Sequence, residues 1–518
     1  MRLLDFFKPK TVTKIIQAES SHGYYGGVYS ISFDGEKNLG EVGPAINYHL
    51  DYTKLRVRSW QAYLESELAQ IILDRVNVWV IGKGLKLQSQ PSKQTLLSEG
   101  INFNSEAFNK VVEARFGTWA NSKQSSYSGN ETLNDIQSEA FKNCNIAGDV
   151  LQVIRYQKGK VTVQNIDANC IYCMTLMKSS RGNKIVNGVE IDGKGKHVGY
   201  WYTETDTQKS SFISAYETTT GLRVAWLVYG NKYKIDSVRG LPAIAQSLES
   251  IKKTERYKEA TVGAAEEVSK IALQIVHDSF SDGESPLTQN TMDALDVGVV
   301  KKIPSTTEGD ALANKITATT NKTAINNPVG AKIETINQSN NTIAFKEFYG
   351  TMAEYICASM MIPPNVAFSL YNDSFSASRA ATKDWEHTIE YKRSYFQSQS
   401  YDYIYRFWFH MEVLNNKIQA PGYFQAFQNG NHMVVDAYLN CRFTGPMFPH
   451  IDPLKEVKAE REKLGELGKH IPLTTVEMAT EVLNGGESTS NMEQFSEEWK
   501  EMDTLIPRTE PSNQDNMK

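Results

Sequence analysis

The sequence predicts an α+β fold, in which a mixed α/β first half is followed by long helices. Two strand-like segments with alternating apolar residues lie at 150–172, on either side of Gln157-Lys-Gly159. Two helix-length apolar patterns occupy residues 345–408 and are separated by Pro363-Pro364. A mixed first half followed by a mainly helical second part is the organisation of an α+β protein.

The composition is that of an ordinary globular protein. With 518 residues, 40% of them hydrophobic and 22% charged, the chain is long enough for about three domains. No apolar run approaches the ~20 residues that span a bilayer, and no secretory segment follows the first ten residues, so we expect a cytosolically made protein without membrane association. The five cysteines are scattered and odd in number, which favours a reducing compartment over a disulfide framework.

The first half divides at changes in composition. Residues 1–50 are rich in Gly and Tyr with little periodicity, so we expect an arm that orders only against a neighbour. Residues 51–240 mix predicted helices and strands. Gly240-Leu-Pro242 opens a long predicted helix over 241–278, with proline in the first turn where its missing N–H costs least. Residues 279–344, rich in Thr, Asn and Asp, indicate a small inserted domain.

The second half contains an apolar stripe, a proline break and a long aromatic helix. The stripe repeats at three- and four-residue spacing, at Phe345, Phe348, Met352, Ile356 and Met360. Pro363-Pro364 stops this helix. We treat the helix and the residues after the prolines as one segment, 345–371. A small polar loop over 372–379 then precedes a helix from Ala380 to about Leu414, whose many aromatic residues predict burial on several sides.

Capping signals mark the helices of the C-terminal region. Asp452 is placed as an N-cap with Pro453 at the first helical position. Thr474-x-x-Glu477 has the pattern of a capping box, and Gly485 is a predicted stop. From Glu487 the composition turns polar and charged, which predicts a flexible tail, assigned to 491–518.

Several short blocks follow one another in an order that is hard to obtain by chance. They are Leu55-Arg-Val-Arg58, Val80-Ile-Gly-Lys-Gly84, Val189-Glu-Ile-Asp-Gly193, Val238-Arg239-Gly240-Leu-Pro242, the segment from Phe345 through Ile362-Pro363-Pro364, Ser376-Ala-Ser-Arg379, Gly445-Pro446 and Ile451-Asp452-Pro453-Leu-Lys455-Glu456. In order and spacing they resemble the portal proteins of tailed bacteriophages, lambda-type family. The sequence departs from this pattern in a shorter loop, and its two ends match no block.

The resemblance implies a portal fold and a role for each segment. Residues 1–50 would be an N-terminal arm, 51–240 the mixed α/β wing, 241–278 a stem helix, 279–344 a small α/β clip and 345–371 the second stem helix. Residues 372–379 would form the channel (tunnel) loop, and 380–451 the long aromatic helix and the return to the wing. The α-helical crown would occupy 452–490, before the flexible tail.

The resemblance also implies a function and a set of partners. Family portals form dodecameric rings at one capsid vertex of the virion, assembled in the host bacterial cytoplasm. The ring is the conduit for double-stranded DNA in packaging and ejection, and it docks terminase, major capsid and scaffolding proteins, and a head–tail adaptor. No catalysis, cofactor or metal is implied. A net charge of −5 suits such a conduit, because each neutralised phosphate would add counterion-release affinity that slows the sliding duplex.

The same resemblance implies which residues narrow the channel. The loop residues are Asn372, Asp373, Ser374, Phe375, Ser376 and Ser378, with Arg379 and Lys383 following on the next helix. The alternative for the loop is an ordinary helix-to-helix connection, in which Ser and Asn satisfy freed backbone groups. Arg379 and Lys383 could contact phosphate, or equally pair with Asp384 or Glu386.

Enzyme signatures are weak in this sequence. Cys170-Ile-Tyr-Cys173 has half of a zinc-site spacing but no second pair. Gly82-Lys-Gly84 lacks the Gly-Lys-Ser/Thr ending of a phosphate-binding loop. The alternatives to a portal are a DNA-processing enzyme with an unrecognised active site, or a cellular ring or scaffold protein without DNA passage.

Overall fold

The computed structural model describes residues 30–31, 37–38, 52–157, 159–171, 175–203, 210–232, 234–275, 316–318, 323–326, 339–370, 375–448, 452–465, 472–484, 486 and 488–505. The chain divides into two compact units. The larger unit contains residues 1–246 and 360–518, and the inserted unit contains residues 247–359.

Helices and strands both contribute to the described structure. The helices are α1 (Tyr52–Glu65), α2 (Glu67–Val80), α3 (Lys93–Ser98), α4 (Ser105–Ala120), α5 (Leu133–Ala147), α6 (Leu248–Lys270), α7 (Ser339–Ser359), α8 (Pro364–Phe368), α9 (Phe375–Phe396), α10 (Asp402–Leu414), α11 (Tyr423–Gln428), α12 (His432–Leu439), α13 (Pro453–Leu464), α14 (Val476–Asn484) and α15 (Ser488–Leu505). A π-helical turn, Gln397–Tyr401, connects α9 to α10 without a break.

The strands are β1 (Ser30–Ile31), β2 (Lys37–Asn38), β3 (Lys86–Ser89), β4 (Asp149–Gln157), β5 (Lys160–Asp167), β6 (Thr175–Lys178), β7 (Lys184–Val186), β8 (Val189–Ile191), β9 (His197–Thr203), β10 (Ser210–Ser214), β11 (Ala225–Tyr229), β12 (Ile271–Ile275), β13 (Ile316–Ala318), β14 (Thr323–Asn326) and β15 (Cys441–Thr444). The predicted mixture of helix and sheet is therefore confirmed.

Two antiparallel sheets and a two-stranded ladder organise the larger unit. One sheet has the order β11-β4-β5, and the other has the order β10-β9-β8-β7-β6. The predicted strand pair is confirmed, because β4 and β5 pair up to Gln157 opposite Lys160. Strand β15 pairs with the distant β3, with Cys441 opposite Ser89.

Aromatic side chains fill the core between α4, α10 and β15. The rings of Phe116 and Trp408 lie 5.1 Å apart, and those of Phe108 and Phe409 lie 6.0 Å apart, both edge to face. Phe443 on β15 meets Phe116 at 5.9 Å. Edge-to-face contacts of this kind stabilise beyond the area they bury. The expectation that the aromatic helix is buried on several sides is confirmed for this stretch.

A buried ionic cluster joins three distant parts of the larger unit. Asp149 accepts hydrogen bonds from Arg239 Nε and Nη2 at 2.7 and 2.8 Å, from the Gly240 N–H at 2.8 Å, and from Arg56 Nη2 at 3.3 Å. Both arginines also donate to the Ala168 carbonyl. Two of the blocks that carry the portal resemblance, at 55–58 and 238–242, therefore meet at one carboxylate.

The electrostatics of Asp149 follow from these contacts. Burial alone would raise the pKa of the carboxyl, but the positive charges of Arg239 and Arg56 outweigh burial. Hydrogen bonds from Arg239 and Gly240 act in the same direction, so the pKa of Asp149 is lowered and the group is ionised. A paired, hydrogen-bonded carboxylate of this kind is the form in which a charge is tolerated inside a protein.

The helix predicted over 241–278 is shorter than expected at both ends. The Leu241 N–H donates to the Asn231 carbonyl at 2.8 Å and the Ala243 N–H donates to the Asn145 carbonyl at 2.7 Å, so this segment pairs outside a helix. Helix α6 begins at Leu248. It ends at Lys270, because Ile271–Ile275 pairs in parallel with β14. Pairing with a neighbouring strand here outweighs the helical spacing of the apolar residues.

The inserted unit is built from α6, α7 and a small sheet. Tyr257 on α6 packs against Phe345 and Phe348 on α7, with ring centroids 5.7 and 4.6 Å apart. The described strands have the order β12-β14-β13. Helix α7 begins at Ser339, inside the segment predicted as the clip, and most of the rest of 279–344 lies outside the described residues.

The second stem helix, predicted over 345–371, is in fact two helices. Helix α7 ends at Ser359, and Met361 has a positive φ of 57°. The short helix α8 then starts with Pro364 in its first turn. The proline pair therefore stops the first helix as predicted, and it also opens the next one.

The C-terminal region confirms one capping prediction, corrects another and corrects the predicted flexible tail. Asp452 accepts from the Lys455 N–H at 3.3 Å and caps α13, as predicted. The cap of α14 is Thr475, which accepts from the Met478 N–H at 3.2 Å, so the predicted box starting at Thr474 is wrong by one residue. Residues 491–505 belong to helix α15 and not to a flexible tail, because apolar residues recur there at helical spacing. Gly485 and residues 506–518 lie outside the described residues.

Candidate functional site

The residues predicted to line a channel fall at the start of α9. Asn372, Asp373 and Ser374 lie outside the described residues. Phe375, Ser376 and Ser378 form the first turn of α9, so the prediction of a loop over 375–379 is wrong in secondary structure. The helix begins early because the Ser and Ala residues here tolerate helical geometry as well as loop geometry.

Arg379 and Lys383 lie one turn apart on α9, and both side chains are exposed. Lys383 Nζ pairs with Glu386 Oε2 at 2.6 Å, which is one of the two partners expected from the sequence. Hydrogen bonds from Lys455 lower the pKa of Asp452, and the positive charge of Arg379 contributes in the same direction. Both cations therefore act on carboxylates of the same chain.

One face of α9 forms a wall of a groove of about 620 Å³. We call it the C-terminal groove. Its opposite wall comes from β15, the segment 445–448, α13 and α14. The lining includes four basic residues, Arg379, Lys383, Arg393 and Arg442, and four acidic ones, Glu386, Glu390, Glu456 and Glu481. Equal numbers of cations and carboxylates give this groove little attraction for a polyanion.

Arg393 connects the floor of this groove to α2. Its guanidinium donates to the carbonyls of Val80 and Trp79, at 3.0 and 2.7 Å, and to Pro446 at 2.5 Å. A cation at the C-terminal end of α2 satisfies carbonyls that have no partner within the helix. Burial lowers the pKa of Arg393 to about 10, against the opposing charge of Glu390, so it stays protonated at neutral pH.

Gly445 is needed at this position because of Arg393. A Cβ added at Gly445 would collide with the Arg393 guanidinium. Next to it, the Phe448 ring stacks on Trp79 of α2 with centroids 5.1 Å apart. The block Gly445-Pro446, which contributes to the portal resemblance, is thus a close contact between the C-terminal segment, α9 and α2.

The π-helical turn connects the same helix to two sheets. Gln399 Oε1 accepts from the Tyr229 N–H of β11 at 2.8 Å, and Gln397 Oε1 accepts from the Phe443 N–H of β15 at 3.3 Å. Ser400 Oγ donates to Gln137 Oε1 at 2.7 Å. These hydrogen bonds fix the C-terminal end of α9 against the core. They therefore also determine the position of its first turn, which contains Phe375 and Ser376.

Sequence reasoning missed Arg393 and the π-helical turn. The signal for the turn was present as Gln-Ser-Gln-Ser at 397–400, a polar run inside an aromatic helix. Polar side chains buried on a helix imply partners on neighbouring elements. No signal in the sequence identified the carbonyl partners of Arg393, since they lie more than 300 residues away along the chain or on the segment after β15.

Neither a metal site nor a membrane span is found in the part of the chain that the structure describes. Among these residues no cluster of three or more His, Cys, Asp or Glu side chains could hold a metal ion. Of the two cysteines with half of a zinc-site spacing, Cys170 lies in a short 3-10 turn, and Cys173 lies outside the described residues. No described helix is both long enough and apolar enough to cross a bilayer.

Comparison with known proteins gives one family match. The family model described as phage portal protein, lambda family, matches residues 40–393, which is more than half of the chain. The matched region includes the ionic cluster around Asp149 and all of α9 up to Arg393. Among curated proteins no significant match was found.

Solved structures from gene transfer agent (GTA) particles are distantly similar to this chain. The virion of a native particle has 9% sequence identity and a TM-score of 0.39, with 87% of this chain and 97% of that chain covered. The neck of an empty particle, computed with C6 symmetry, has 9% identity, a TM-score of 0.42 and the same coverage. The neck of a native particle, computed with C12 symmetry, has 9% identity, a TM-score of 0.39, and 84% and 94% coverage. At 9% identity and TM-scores of 0.39 to 0.42, we base no conclusion on these structures.

Proposed function

The chain belongs to the lambda family of phage portal proteins, and from this premise we propose that it closes into a dodecameric ring at one capsid vertex. The match of the family model over residues 40–393 is the observation that carries the proposal. The ring would be a structural part of the virion, assembled in the bacterial cytoplasm. It would have no catalytic activity and no cofactor.

The proposed ring is a passive conduit for double-stranded DNA. Asn372, Asp373, Ser374, Phe375, Ser376 and Ser378, at the start of α9, would narrow the bore and contact the duplex without reading its sequence. Arg379 and Lys383 would lie just behind them. The charge balance supports this view: the chain carries a net charge of −5, and Lys383 pairs with Glu386. A lining with few unneutralised cations releases few counterions, so DNA would be held loosely.

The proposed partners follow from the same premise. Terminase would dock on the ring and supply the ATP-driven motion, while major capsid and scaffolding proteins would surround it during head assembly. A head–tail adaptor would bind after packaging. This proposal also includes the roles of the segments. They are the wing for 51–240, the stem for 241–278 and 345–371, the clip for 279–344 and the crown for 452–490.

Negative-stain images and native mass measurement of the purified chain test the proposal. We expect homogeneous rings of about 700 kDa, twelve times the 58.3 kDa chain, with a bore wide enough for duplex DNA. A chain that stays monomeric, alone and together with its capsid partners, would contradict the ring. Metal-dependent DNA cleavage would favour the processing enzyme, and a bore too narrow for duplex would favour a scaffold ring.

A further inference from the structure

Helix α15 presents an unusually exposed apolar surface. Every residue from 491 to 502 is exposed. Four large apolar side chains recur at intervals of three and four residues and form what we call the α15 stripe: Met492, Phe495, Trp499 and Met502, exposed by 58, 61, 45 and 52%. On the opposite side of α15, Glu493 pairs with Lys110 of α4, so the stripe faces away from this contact with its own chain. Neighbouring exposed apolar side chains of this kind mark an interaction surface.

The C-terminal groove has an apolar wall that matches this stripe. Met478 and Val482 on α14 line it, and they are exposed by 58 and 57%. The opposite wall uses one face of α9 from Arg379 to Gln397, a length of about 27 Å at ~1.5 Å per residue. Helix α15 has 18 residues and the same length. No residue of α15 lines the groove in this structure.

The charges of the two surfaces are also complementary. Five of the six charged residues of α15 are acidic. Glu493, Glu497 and Glu501 lie on the side opposite the stripe, where Glu493 pairs with Lys110 of α4, whereas Glu498 lies beside the stripe. At the groove, the side chains of Lys383 and Arg442 are exposed by 68 and 55% and pair with Glu386 and Glu481. Exposed pairs of this kind contribute little stability and exchange partners easily. They can therefore turn towards Glu498 at the edge of an incoming stripe.

From these features we propose that the α15 stripe of one copy packs into the C-terminal groove of the adjacent copy. The mode is a helix in a groove, with anchors at the spacing of the stripe. Stripe and groove are different surfaces of the same chain, so each copy offers its stripe to one neighbour and its groove to the other. Such head-to-tail contacts close into rings when the rotation between copies permits. The inference rests on the proposed ring and names one contact that holds it together.

Cross-linking of mixed variants, each with one added cysteine, tests the pairing directly. Full-length chains carrying Phe495→Cys are mixed with chains carrying Met478→Cys and treated with a short bis-maleimide. We expect covalent dimers at least tenfold above those formed by the native chain treated in the same way. The matched control replaces Phe495→Cys with Glu497→Cys, on the opposite side of α15, and should return to the native level. Equal dimer yields for both, or cross-links only within the chain of a double variant, would overturn the proposal.

Charge substitution tests whether the contact matters for assembly. The variants Phe495→Glu/Trp499→Glu and Met478→Glu/Val482→Glu should each lower the fraction of chain in rings at least tenfold. The control Glu497→Ala/Lys500→Ala, opposite the stripe, should assemble like the native chain. Circular dichroism checks that each variant folds. If native rings form and the stripe variant forms the same rings, only the interface inference fails. If the native chain forms no rings, the ring proposal fails, and the cross-linking still reports whether two copies meet at this surface.

Discussion

At the scale of single residues, the buried carboxylate of Asp149 holds together segments that are distant in the sequence. It is fully buried and ties Arg56 of α1 to Arg239 of the segment after β11. Removing one partner of a buried ion pair leaves the other charge without compensation. Arg56 and Arg239, which lie in two of the blocks that resemble portal proteins, therefore stabilise this fold independently of any ligand.

Substitution of Arg239 tests this task. Arg239→Met should lower the free energy of unfolding by about 3–5 kcal/mol, because Asp149 would keep its burial and lose its bidentate partner. Arg406→Met is the matched control, since Arg406 pairs with Asp436 at 2.7 Å with both side chains exposed. It should cost at most about 1 kcal/mol. Denaturant titration measures both, and equal losses would show that the buried cluster has no special weight.

His197 predicts how stability depends on pH. Burial lowers the pKa of His197 to about 4, with the charges of Arg223 and Lys232 acting in the same direction. The unfolded chain binds a proton near pH 6.5 and the folded chain does not, so the stability present above this pH is lost as the pH falls towards 4. Between pH 7 and pH 5 we expect a loss of up to ~2 kcal/mol from this group.

The variant His197→Gln should flatten that part of the pH profile. Unfolding midpoints measured at pH 7, 6 and 5 give the slope for each chain. Gln keeps a polar group near the Tyr200 hydroxyl, which lies 3.1 Å from His197 Nδ1. His432→Gln, at an exposed position, is the control and should leave the slope as in the native chain. An unchanged slope in His197→Gln would assign the acid sensitivity to other groups.

At the scale of elements, the π-helical turn determines how α9 leaves the core. Gln399 satisfies the Tyr229 N–H, which faces away from β4 on the outer side of β11. A π turn inserts one extra residue into a helix, so it changes the direction of every side chain before it relative to those after it. The directions of the side chains of Arg393, about one turn before it, and Arg379, about five turns before it, thus depend on the π-helical turn.

Replacing Gln399 tests the role of this turn. Gln399→Leu should destabilise the chain by about 1–3 kcal/mol, because a partly buried backbone N–H loses its acceptor. Ser398→Ala changes an exposed neighbour in the same turn and should stay within about 0.5 kcal/mol. Thermal unfolding compares the two variants, and a neutral Gln399→Leu would mean that the Tyr229 N–H finds another acceptor.

The elements also show what a sequence can and cannot predict. The pair β4 and β5 and the cap at Asp452 were predictable, because strand alternation and the Asp-Pro signal are local. The start of α9 was not, since serines at 374, 376 and 378 are all good N-caps and local chemistry does not choose among them. The ends of α6 and the clamp of Arg393 depend on partners distant in sequence. Periodicity alone cannot supply them.

At the scale of the whole molecule, the proposed conduit depends on weak contact with DNA. A symmetric ring repeats every substitution once per subunit, so one added lysine becomes a belt of cations. Each phosphate contact adds affinity that falls steeply with salt. The neutral Ser and Asn residues proposed for the lining are consistent with passage of the duplex, and a change of charge there is the sharpest test of their position.

Lysine at the proposed lining should slow DNA passage. In Ser374→Lys or Ser376→Lys particles, we expect less packaged DNA or slower packaging while rings still form, and partial recovery at higher salt. Ser374→Asn and Ser376→Asn are uncharged controls and should package normally. The amount of DNaseI-protected DNA per particle gives the readout. Normal packaging in both lysine variants would remove these serines from the channel.

The pairing of β3 with β15 also has a consequence for how the chain is made. Ser89 and Cys441 face each other in this ladder, so the second strand leaves the ribosome roughly 20–70 s after the first at ~5–20 residues per second. During that interval the N-terminal half of the larger unit lacks its partner strand and the aromatic face of α10. The inserted unit ends at residue 359, so it is synthesised before β15. We therefore expect nascent chains stopped before residue 440 to be chaperone clients, and synthesis through β15 to be a precondition for a complete core in the larger unit.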